Sequence, residues 1–489
     1  MDVRAIARLS VRQQLHHALQ ATNLARGDDM EDTHAFYCPS SSVLQAAGPR
    51  TPWPCPFGVA MTQHPGSSYV GTAVFHQSAQ FLPRRPATMT FDALVLNASL
   101  RQALVTVRSL GRRGLRVAAA AGRNAPAFSS RWCEQDLVFP REEASDAYLA
   151  RLERWLEATG ARTVIPSHDG TIALLRRHRA RIEQHARLTL ADEPALAVAI
   201  NKERTSAFAK RLGLRVPREA IVRDVGDVLM AVKEIGLPAV VKPCESWLGN
   251  GNGGARVAPE LVVTKAEAHH AVDRVTRLGG TILFQQLLTG RREAVSFLYA
   301  GGEMYARFAQ WATRTYPPLG GASVLRQSIA IPPDIGRQAE TLVREINLEG
   351  YSEVEFRRDA SGVPYLMEVN PRLSASIEVA VRAGVDFPYL VYQWASGSRI
   401  ERHNGYRVGG WMRHLGGDIE TTVDSLQQRG RPGISRPVQT IVDFGITFLR
   451  PMGYDYFDWK DPFPAVRAIT GFIRTTLKRL GSRMRKVAQ

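Results

Sequence analysis

The chain has 489 residues, 44% of them hydrophobic and 22% charged, and a formal net charge of +17 at pH 7. That length favours roughly two to four domains. We expect a cytoplasmic protein, because the sequence shows no bilayer-length apolar run, no signal-peptide core and no metal or disulfide pattern among its four cysteines. The basic residues are dispersed and come with no recognition motif or aromatic platform, so we expect a basic solvated surface and no nucleic-acid partner.

Residues 1–88 differ in composition from the rest of the chain. They are rich in Pro, Gly, Ser and Thr and show no sustained periodicity beyond a short helical pattern at 3–20. This composition predicts a mostly disordered N-terminal extension. Met89 then opens the stretch "MTFDALVLNAS" and is a candidate for the true initiator.

Residues 89–195 alternate strand and helix patterns. "DALVLN" is an apolar run typical of a buried parallel strand, and "LRVAAAA" and "RTVIPS" repeat it after helical segments. This alternation predicts an open, mostly parallel α/β domain, which usually binds a ligand at the carboxyl ends of its strands. No G-x-G-x-x-G follows the first strand, so we do not expect a classical dinucleotide site.

Residues 196–400 are predicted to form the next domain, and a strand with one charge marks its first candidate site. "LPAVVKP" carries Lys242, and the glycine-rich loop 249–254 and another strand-like piece follow at once. Such a hairpin makes a flexible flap whose backbone N–H groups can cradle phosphates. Further along, Arg326 lies in the stretch "TRTYPPLGGASVLRQSIAIPPD", a Pro- and Gly-rich candidate substrate loop.

The stretch Tyr351–Arg372 predicts a β-hairpin with its turn at 361–362. This register places Glu355 opposite Glu368, with Leu366, Asn370 and Arg372 on the same face of the second strand as Glu368. Two facing carboxylates repel unless a hard cation lies between them, with the Asn370 amide oxygen as a further ligand. A solvated hairpin with its charges in water is the alternative.

Residues 401–489 are predicted as a C-terminal extension. "YDYFDWKDPFP" (454–464) is aromatic and predicts an interaction or packing segment. Residues 466–486 form an amphipathic helical pattern whose charges are all basic. Peripheral contact with an anionic membrane at its inner face, packing on the same chain and contact with a partner all remain open for this helix, as does the oligomeric state.

The order of these features resembles the ATP-grasp superfamily, particularly the branch of biotin carboxylase and carbamoyl-phosphate synthetase and its predicted carboxylate–amine ligases. The resemblance covers roughly residues 91–397 and is weakest in the first hundred of them. The motifs that carry it are "NKERT", "AVVKP", "GNGNGG", "FQQLLTGRRE", "EVEF" and "LMEVNPR". It implies an ATP-grasp fold preceded by an open parallel α/β domain.

The resemblance also implies roles for individual residues. The nucleotide-binding candidates are Lys202, Lys242, Gly249, Gly251, Gly253, Gly254, Gln285, Gln286, Leu287, Leu288 and Glu293, the last similar to the family's ribose-binding acid. The candidate ligands for Mg²⁺ or Mn²⁺ are Glu355, Glu368 and Asn370. The candidate catalytic residues are Arg372 and Lys242, and the candidate substrate loop adds Arg326 to them. The chain departs from the family at Gln286, where a glutamate is common, although an amide oxygen can also accept a hydrogen bond.

The implied activity is an ATP- and Mg²⁺-dependent, ADP-forming ligation. A small-molecule carboxylate would be activated as an acyl phosphate and captured by an amine. Two alternatives remain open: a biotin-carboxylase-like enzyme that activates bicarbonate, and a non-catalytic ATP-binding module. Nothing in the sequence identifies the acid or the amine.

Overall fold

The computed structural model describes residues 90–122, 125–140, 145–249 and 254–487. The predicted extension 1–88, the candidate initiator Met89 and two loop positions, Gly251 and Gly253, lie outside the described residues.

The first sheet has five parallel strands in the order β3-β2-β1-β4-β5. These strands are β1 (Ala93–Leu96), β2 (Val117–Ala121), β3 (Gln135–Val138), β4 (Thr163–Ile165) and β5 (Arg187–Leu188). The accompanying helices are α1 (Arg101–Arg112), α2 (Ser145–Thr159), α3 (Asp169–Arg177), α4 (Arg179–Ile182) and α5 (Glu193–Ala199).

Helices cover both faces of this sheet, which is why β1 is apolar throughout. Leu94 and Leu96 belong to one core with α2, whereas Ala93 and Val95 belong to another with α1. The predicted open parallel α/β arrangement is therefore confirmed. The strand order reverses direction between β1 and β4, so the loops that follow these two strands meet at one edge, and Asp169 lies there.

The second sheet is antiparallel, with the order β10-β7-β11-β6, and a separate two-stranded flap lies beside it. The strands are β6 (Glu219–Val222), β7 (Ala239–Pro243), β8 (Trp247–Gly249), β9 (Gly254–Arg256), β10 (Glu260–Val262) and β11 (Ile282–Gln286). The helices are α6 (Lys202–Arg211), α7 (Val228–Ile235) and α8 (Lys265–Thr276). Val241 and Phe284 pack with α7 and α8, so strand alternation turns Lys242 and Gln285 to the opposite face.

The third sheet has seven strands in the order β16-β15-β12-β13-β14-β17-β18. They are β12 (Arg292–Ala300), β13 (Glu303–Tyr316), β14 (Ala322–Ile329), β15 (Gly350–Arg358), β16 (Pro364–Asn370), β17 (Trp411–Arg413) and β18 (Gly453–Tyr454). The helices α9 (Pro333–Ile346), α10 (Glu378–Ala383) and α11 (Phe387–Ala395) pack against it. Val295 and Phe356 share a core with α9, and strand alternation places Arg292, Glu353 and Glu355 on the other face of β12 and β15.

The C-terminal residues complete this third sheet, because β17 and β18 come from the stretch predicted as an extension. Three helices accompany them: α12 (Leu415–Gln427), α13 (Pro437–Ile446) and α14 (Phe463–Val487).

The aromatic segment 454–464 packs against α1 of the first sheet through its aspartates, and we call it the aspartate clasp. The three ion pairs are Asp455 with Arg101, Asp458 with Arg112 and Asp461 with Arg108, and all three arginines lie on α1. Asp455 also pairs with Arg326 on β14, and both of these side chains are almost fully buried. Of the two interpretations of this segment, packing is the one observed.

Candidate functional site

Polar residues of the second and third sheets face each other across one cleft. Lys202, the first residue of α6, lies between the sheets: its Nζ is 3.8 Å from Glu368 Oε2 and donates to Ser246 Oγ at 3.0 Å. Lys242 approaches from the second sheet, and Glu355 and Asn370 belong to the third. The structure thus brings the predicted lysines and metal ligands together.

The hairpin has the predicted carboxylate pair but reaches it by another route. Glu355 pairs with Glu368, whereas the next pair is Phe356 with Leu366, so Met367 is an extra residue in a β-bulge. The turn is also one residue out of the predicted register, since Arg358 pairs with Pro364. The shorter turn shifts the register by one residue and the bulge shifts it back by one, so Glu355 still pairs with Glu368. The prediction that Leu366 shares a face with Glu368 is wrong, because Leu366 packs with Phe356 in the core.

Glu355 is a buried carboxylate in this cleft, and its pKa is raised. Burial raises its pKa to about 7; Arg292 acts in the opposite direction, and the neighbouring acids Glu368 and Glu353 raise the pKa further. Arg292 Nε donates to Glu355 Oε2 at 2.9 Å, and Asn370 Nδ2 donates to Oε1 at 3.1 Å. A hard cation beside Glu355 would remove the cost of ionising it.

Glu368 has the opposite balance. Burial disfavours its charged form, but the positive charges of Lys202, Lys242, Arg292 and Arg372 outweigh burial and lower its pKa. The paired carboxylates therefore differ, with one ionised under most conditions and the other close to titrating at neutral pH. The set of two carboxylates and one amide suits a hard divalent ion that takes its other ligands from water or an anionic ligand.

Lys242 is a buried amine with a low pKa. Burial is the main cause of the fall from 10.5 to about 8, and Lys202 and Arg357 lower the pKa further against Glu368 and Glu355. Its Nζ donates to Gln285 Oε1 at 2.7 Å, and Gln285 Nε2 donates to Glu219 Oε2 at 3.3 Å. The charge of Lys242 is thus held next to the carboxylates by a second-sheet hydrogen-bond chain.

Arg372 connects the hairpin to the first sheet. Its Nη2 donates to Asp169 Oδ2 at 3.1 Å, at the start of α3. Burial acts against ionisation of Asp169, but Arg372 and then Arg256 outweigh it and hold the pKa of this carboxyl well below its usual range. The pair fixes the Arg372 guanidinium at the edge of the cleft, where the loops of the parallel sheet also end.

The glycine-rich flap is anchored on the same edge. Gly249 pairs with Gly254, and a Cβ on Gly254 would lie 2.4 Å from the indole nitrogen of Trp247. The Trp247 ring also closes over Gly170 and lies 5.5 Å from the ring of His168. Any side chain at Gly254 would therefore displace Trp247 and, with it, the contact between the flap and α3.

Two predicted residues do not reach the cleft. Glu293 lies on the opposite face of β12, where Arg291 and Arg358 pair with it at 3.0 and 2.7 Å. Arg326 is 0% exposed because Asp455 of the aspartate clasp holds it. Both side chains serve the packing of the fold.

The predicted hinge residues 285–288 take different environments. Gln285 faces the lysines, as described above. Gln286 instead accepts from the Arg218 backbone N–H at 3.4 Å, and its own N–H donates to Arg218 O at 2.9 Å. The Leu288 carbonyl accepts from Arg357 at 2.7 Å, and Leu287 is half-buried.

The sequence interpretation missed two charged residues of the cleft. Arg292 precedes Glu293 and faces Glu355, because residues of a strand alternate between faces. Glu353 is two residues before Glu355 and so shares its face; burial raises its pKa, and Gln310 and Ser374 donate to it at 2.7 and 3.0 Å. Strand alternation was the signal for both, once the strands were placed in register.

Part of the chain matches a known family model. Residues 300–410 match the family described as "ATP-grasp in the biosynthetic pathway with Ter operon". The matched part includes β15 and β16 and therefore the carboxylate hairpin.

Curated relatives match a longer part of the chain. A D-alanine–D-alanine ligase of Xanthomonas axonopodis pv. citri (strain 306) is 28% identical over 217 residues, which are 40% of this chain and 64% of the ligase. The large chain of carbamoyl phosphate synthase from Thermus thermophilus is 26% identical over 276 residues, 52% of this chain and 26% of that one. The chain thus spans just under two thirds of the ligase it matches.

A solved structure extends the likeness to the fold. The complex of biotin carboxylase from Campylobacter jejuni with β-γ-ATP superimposes with a TM-score of 0.53 at 15% sequence identity. The match covers 66% of this chain and 75% of that chain. At this identity the comparison concerns the fold.

Proposed function

The chain has the ATP-grasp fold, and from that premise we propose that it is an ATP- and Mg²⁺-dependent ligase. In this proposal a carboxylate is activated as an acyl phosphate and captured by an amine, with release of ADP. The observation that carries the proposal is the convergence of Lys202 and Lys242 with Glu355, Glu368 and Asn370 in one cleft. The names of the matching ligase and synthase support the reaction class.

We infer that the nucleotide lies between the second and third sheets. Val216, Leu283 and Met367 lie beside Lys202 and Gln285, and these apolar side chains would contact the base. The flap in which Gly249 pairs with Gly254 would cover the phosphates, and the hinge 285–288 would border the base.

Glu355, Glu368 and Asn370 are the residues that would hold Mg²⁺. Their oxygen donors fit this ion, and a divalent cation would offset the burial and the neighbouring acids that raise the pKa of Glu355. When bound, the ion would supply charge neutralisation to the transferred phosphoryl group. Arg292, which now pairs with Glu355, would share that carboxylate.

The protein side chains would then promote phosphoryl transfer to the carboxylate. Lys202 and Lys242 would offset the negative charge of the phosphates, and Arg372, oriented by Asp169, would face the transferred group or the acyl phosphate. Closure of the flap, which includes Trp247, would exclude water, and this protects an acyl phosphate from hydrolysis.

Nucleotide affinity should depend on the charge of Lys242. Because its pKa is lowered to about 8, Lys242 is protonated at pH 7 and loses its charge as the pH rises through 8. We expect the Kd for ATP to rise about tenfold or more between about pH 7 and 9.5, since one charged contact is lost. Lys242→Arg should flatten the profile, because a guanidinium stays charged. Titration calorimetry measures both profiles.

The control for this pH dependence is Lys233→Arg. Lys233 is an exposed residue of α7, the helix that packs on the face of the second sheet opposite to Lys242. This variant should keep the wild-type profile. The phosphate contact would have to come from another residue if the Kd of the wild type did not change with pH, or if it changed equally in Lys242→Arg.

The proposed reaction is tested by a substrate screen. Purified protein is supplied with ATP, Mg²⁺ and panels of carboxylic acids paired with amines, and ADP and phosphate are measured. Release that needs both an acid and an amine is the expected result. Release with bicarbonate alone would favour the carboxylase-like alternative, and binding of ATP without release from any pair would favour a non-catalytic module.

We further propose how the chain divides and where it works. Residues 89–195 would form the domain before the ATP-grasp domain, and residues 196–400 the catalytic part. Residues 401–489 would complete the catalytic part through β17, β18 and the aspartate clasp. A cytoplasmic location fits a ligase that draws on the ATP pool.

A further inference from the structure

Helix α14 presents an apolar stripe to solvent. Val466, Ile469, Ile473 and Leu477 follow one another at steps of three and four residues and are 56, 59, 50 and 61% exposed. That spacing places them along one side of the helix. Trp459, just before the helix, is 87% exposed. We call these five residues the apolar stripe.

The other side of α14 contacts the rest of the chain, so the apolar stripe faces solvent. Phe472 is half-buried beside Gly416 of α12, and Arg479 Nη1 is 3.0 Å from Glu420 Oε1. Phe472 and Arg479 thus hold this side of the helix against α12. Within the described part of the chain, the apolar stripe remains open to solvent.

The charges around the stripe are of one sign. Residues 463–487 contain seven basic residues and no acid. Arg467, Arg474 and Lys478 lie about 80–120° around the helix from Val466, along one border of the stripe. The nearby acids of the aspartate clasp are turned inward to α1, where they pair with arginines.

A second helix adds to the same surface chemistry. None of the residues of α13 is buried, and Val438, Ile441, Val442 and Ile446 are 74, 58, 47 and 48% exposed. Four exposed apolar side chains on one ten-residue helix exceed the scattered single residues of an ordinary surface.

We propose that α14 binds the surface of an anionic phospholipid membrane. The apolar stripe would enter the boundary between headgroups and acyl chains, with Trp459 at the interface and the basic border on anionic headgroups. A second copy of the chain is a poorer occupant, because it would place two borders of the same charge together. None of the described helices is long and apolar enough to span a membrane.

The experiment is vesicle flotation with the full chain. Vesicles of phosphatidylcholine with about a third phosphatidylglycerol should carry the protein at low salt, whereas pure phosphatidylcholine should carry much less. Raising the salt concentration should weaken binding, since it screens the charges. Ile473→Glu should lower the partition coefficient about tenfold or more, and Arg474→Gln with Lys478→Gln about 25-fold.

The matched control is Met230→Glu on α7, which also replaces an exposed apolar residue by an acid. It should bind vesicles like the wild type, and all variants should bind ATP like the wild type without vesicles. The proposal is overturned if anionic vesicles do not bind the chain, or if Ile473→Glu binds as tightly as Met230→Glu. It is also overturned if light scattering shows a dimer that Ile473→Glu dissociates.

Discussion

Glu368→Gln is expected to lower ATP-dependent turnover about a thousandfold while the protein stays folded. The substitution keeps the size of the side chain and removes one of the two carboxylates that would hold Mg²⁺. Glu368 is also the acid nearest to Lys202, at 3.8 Å, and it is 29% exposed, so the neutral amide can be accommodated without a buried cavity. Steady-state ADP release measures the loss, and circular dichroism checks the fold.

The matched control for this variant is Glu303→Gln. Glu303 is the first residue of β13 in the same sheet, whereas the carboxylate hairpin is formed by β15 and β16. Its side chain is 58% exposed and pairs with Arg402 at 3.2 Å. Loss of the Glu303 charge should leave turnover unchanged. Full activity in Glu368→Gln would refute the assignment of the metal site.

Asp455→Asn is expected to cause the largest loss of stability, about 3–5 kcal/mol in the free energy of unfolding. Asp455 is 1% exposed and pairs with both Arg101 and Arg326, so the substitution leaves two buried guanidinium groups without their counter-charge. Chemical denaturation at neutral pH measures the difference.

The pH dependence of this loss follows from the pKa of Asp455. Burial opposes ionisation, but Arg326 and Arg101 outweigh it and hold the pKa well below its usual range. The ionised carboxylate therefore stabilises the fold above about pH 4, the unfolded value, and this stabilisation is lost as the pH falls toward the folded value. The difference between wild type and Asp455→Asn should be constant from about pH 5 to 8 and shrink in acid.

Asp458→Asn is the control for the buried ion pairs. Asp458 belongs to the same aspartate clasp, but its partner Arg112 is 34% exposed, and such a pair contributes less than about 1 kcal/mol. Equal losses in the two variants would mean that the clasp does not act through the buried charges of Arg101 and Arg326.

The carboxylate hairpin shows what strand alternation in a sequence can predict. The pairing of Glu355 with Glu368 followed from alternation and a turn at a glycine, and it is observed. The bulge at Met367 has no signal in the residue types, because an extra residue changes only the pairing. Leu366 was assigned to the wrong face for that reason, although the site was unaffected.

Long-range packing limited the prediction for Arg326. The sequence predicted Arg326 in a Pro- and Gly-rich substrate loop, and this is wrong, because Arg326 lies on β14. Its partner Asp455 is 129 residues away in the sequence. Asp455 reaches Arg101 across 354 residues. Pattern and propensity are local, so they predicted neither contact.

Glu293 was assigned from the family resemblance, without a register for its strand. Neighbouring residues of a strand face opposite sides, so the register of β12 against β15 decides which of Arg292 and Glu293 faces the cleft. Glu293 faces Arg358, and Arg292 faces Glu355.

Binding of a non-hydrolysable ATP analogue, measured by calorimetry with and without Mg²⁺, tests the central claim most directly. The claim is that the cleft between Lys202, Lys242 and the paired carboxylates holds metal-bound ATP. It predicts one site per chain, affinity that depends on Mg²⁺ in the wild type, and loss of that dependence in Glu368→Gln. Absence of binding, or an affinity that Mg²⁺ and Glu368→Gln leave unchanged, would contradict it.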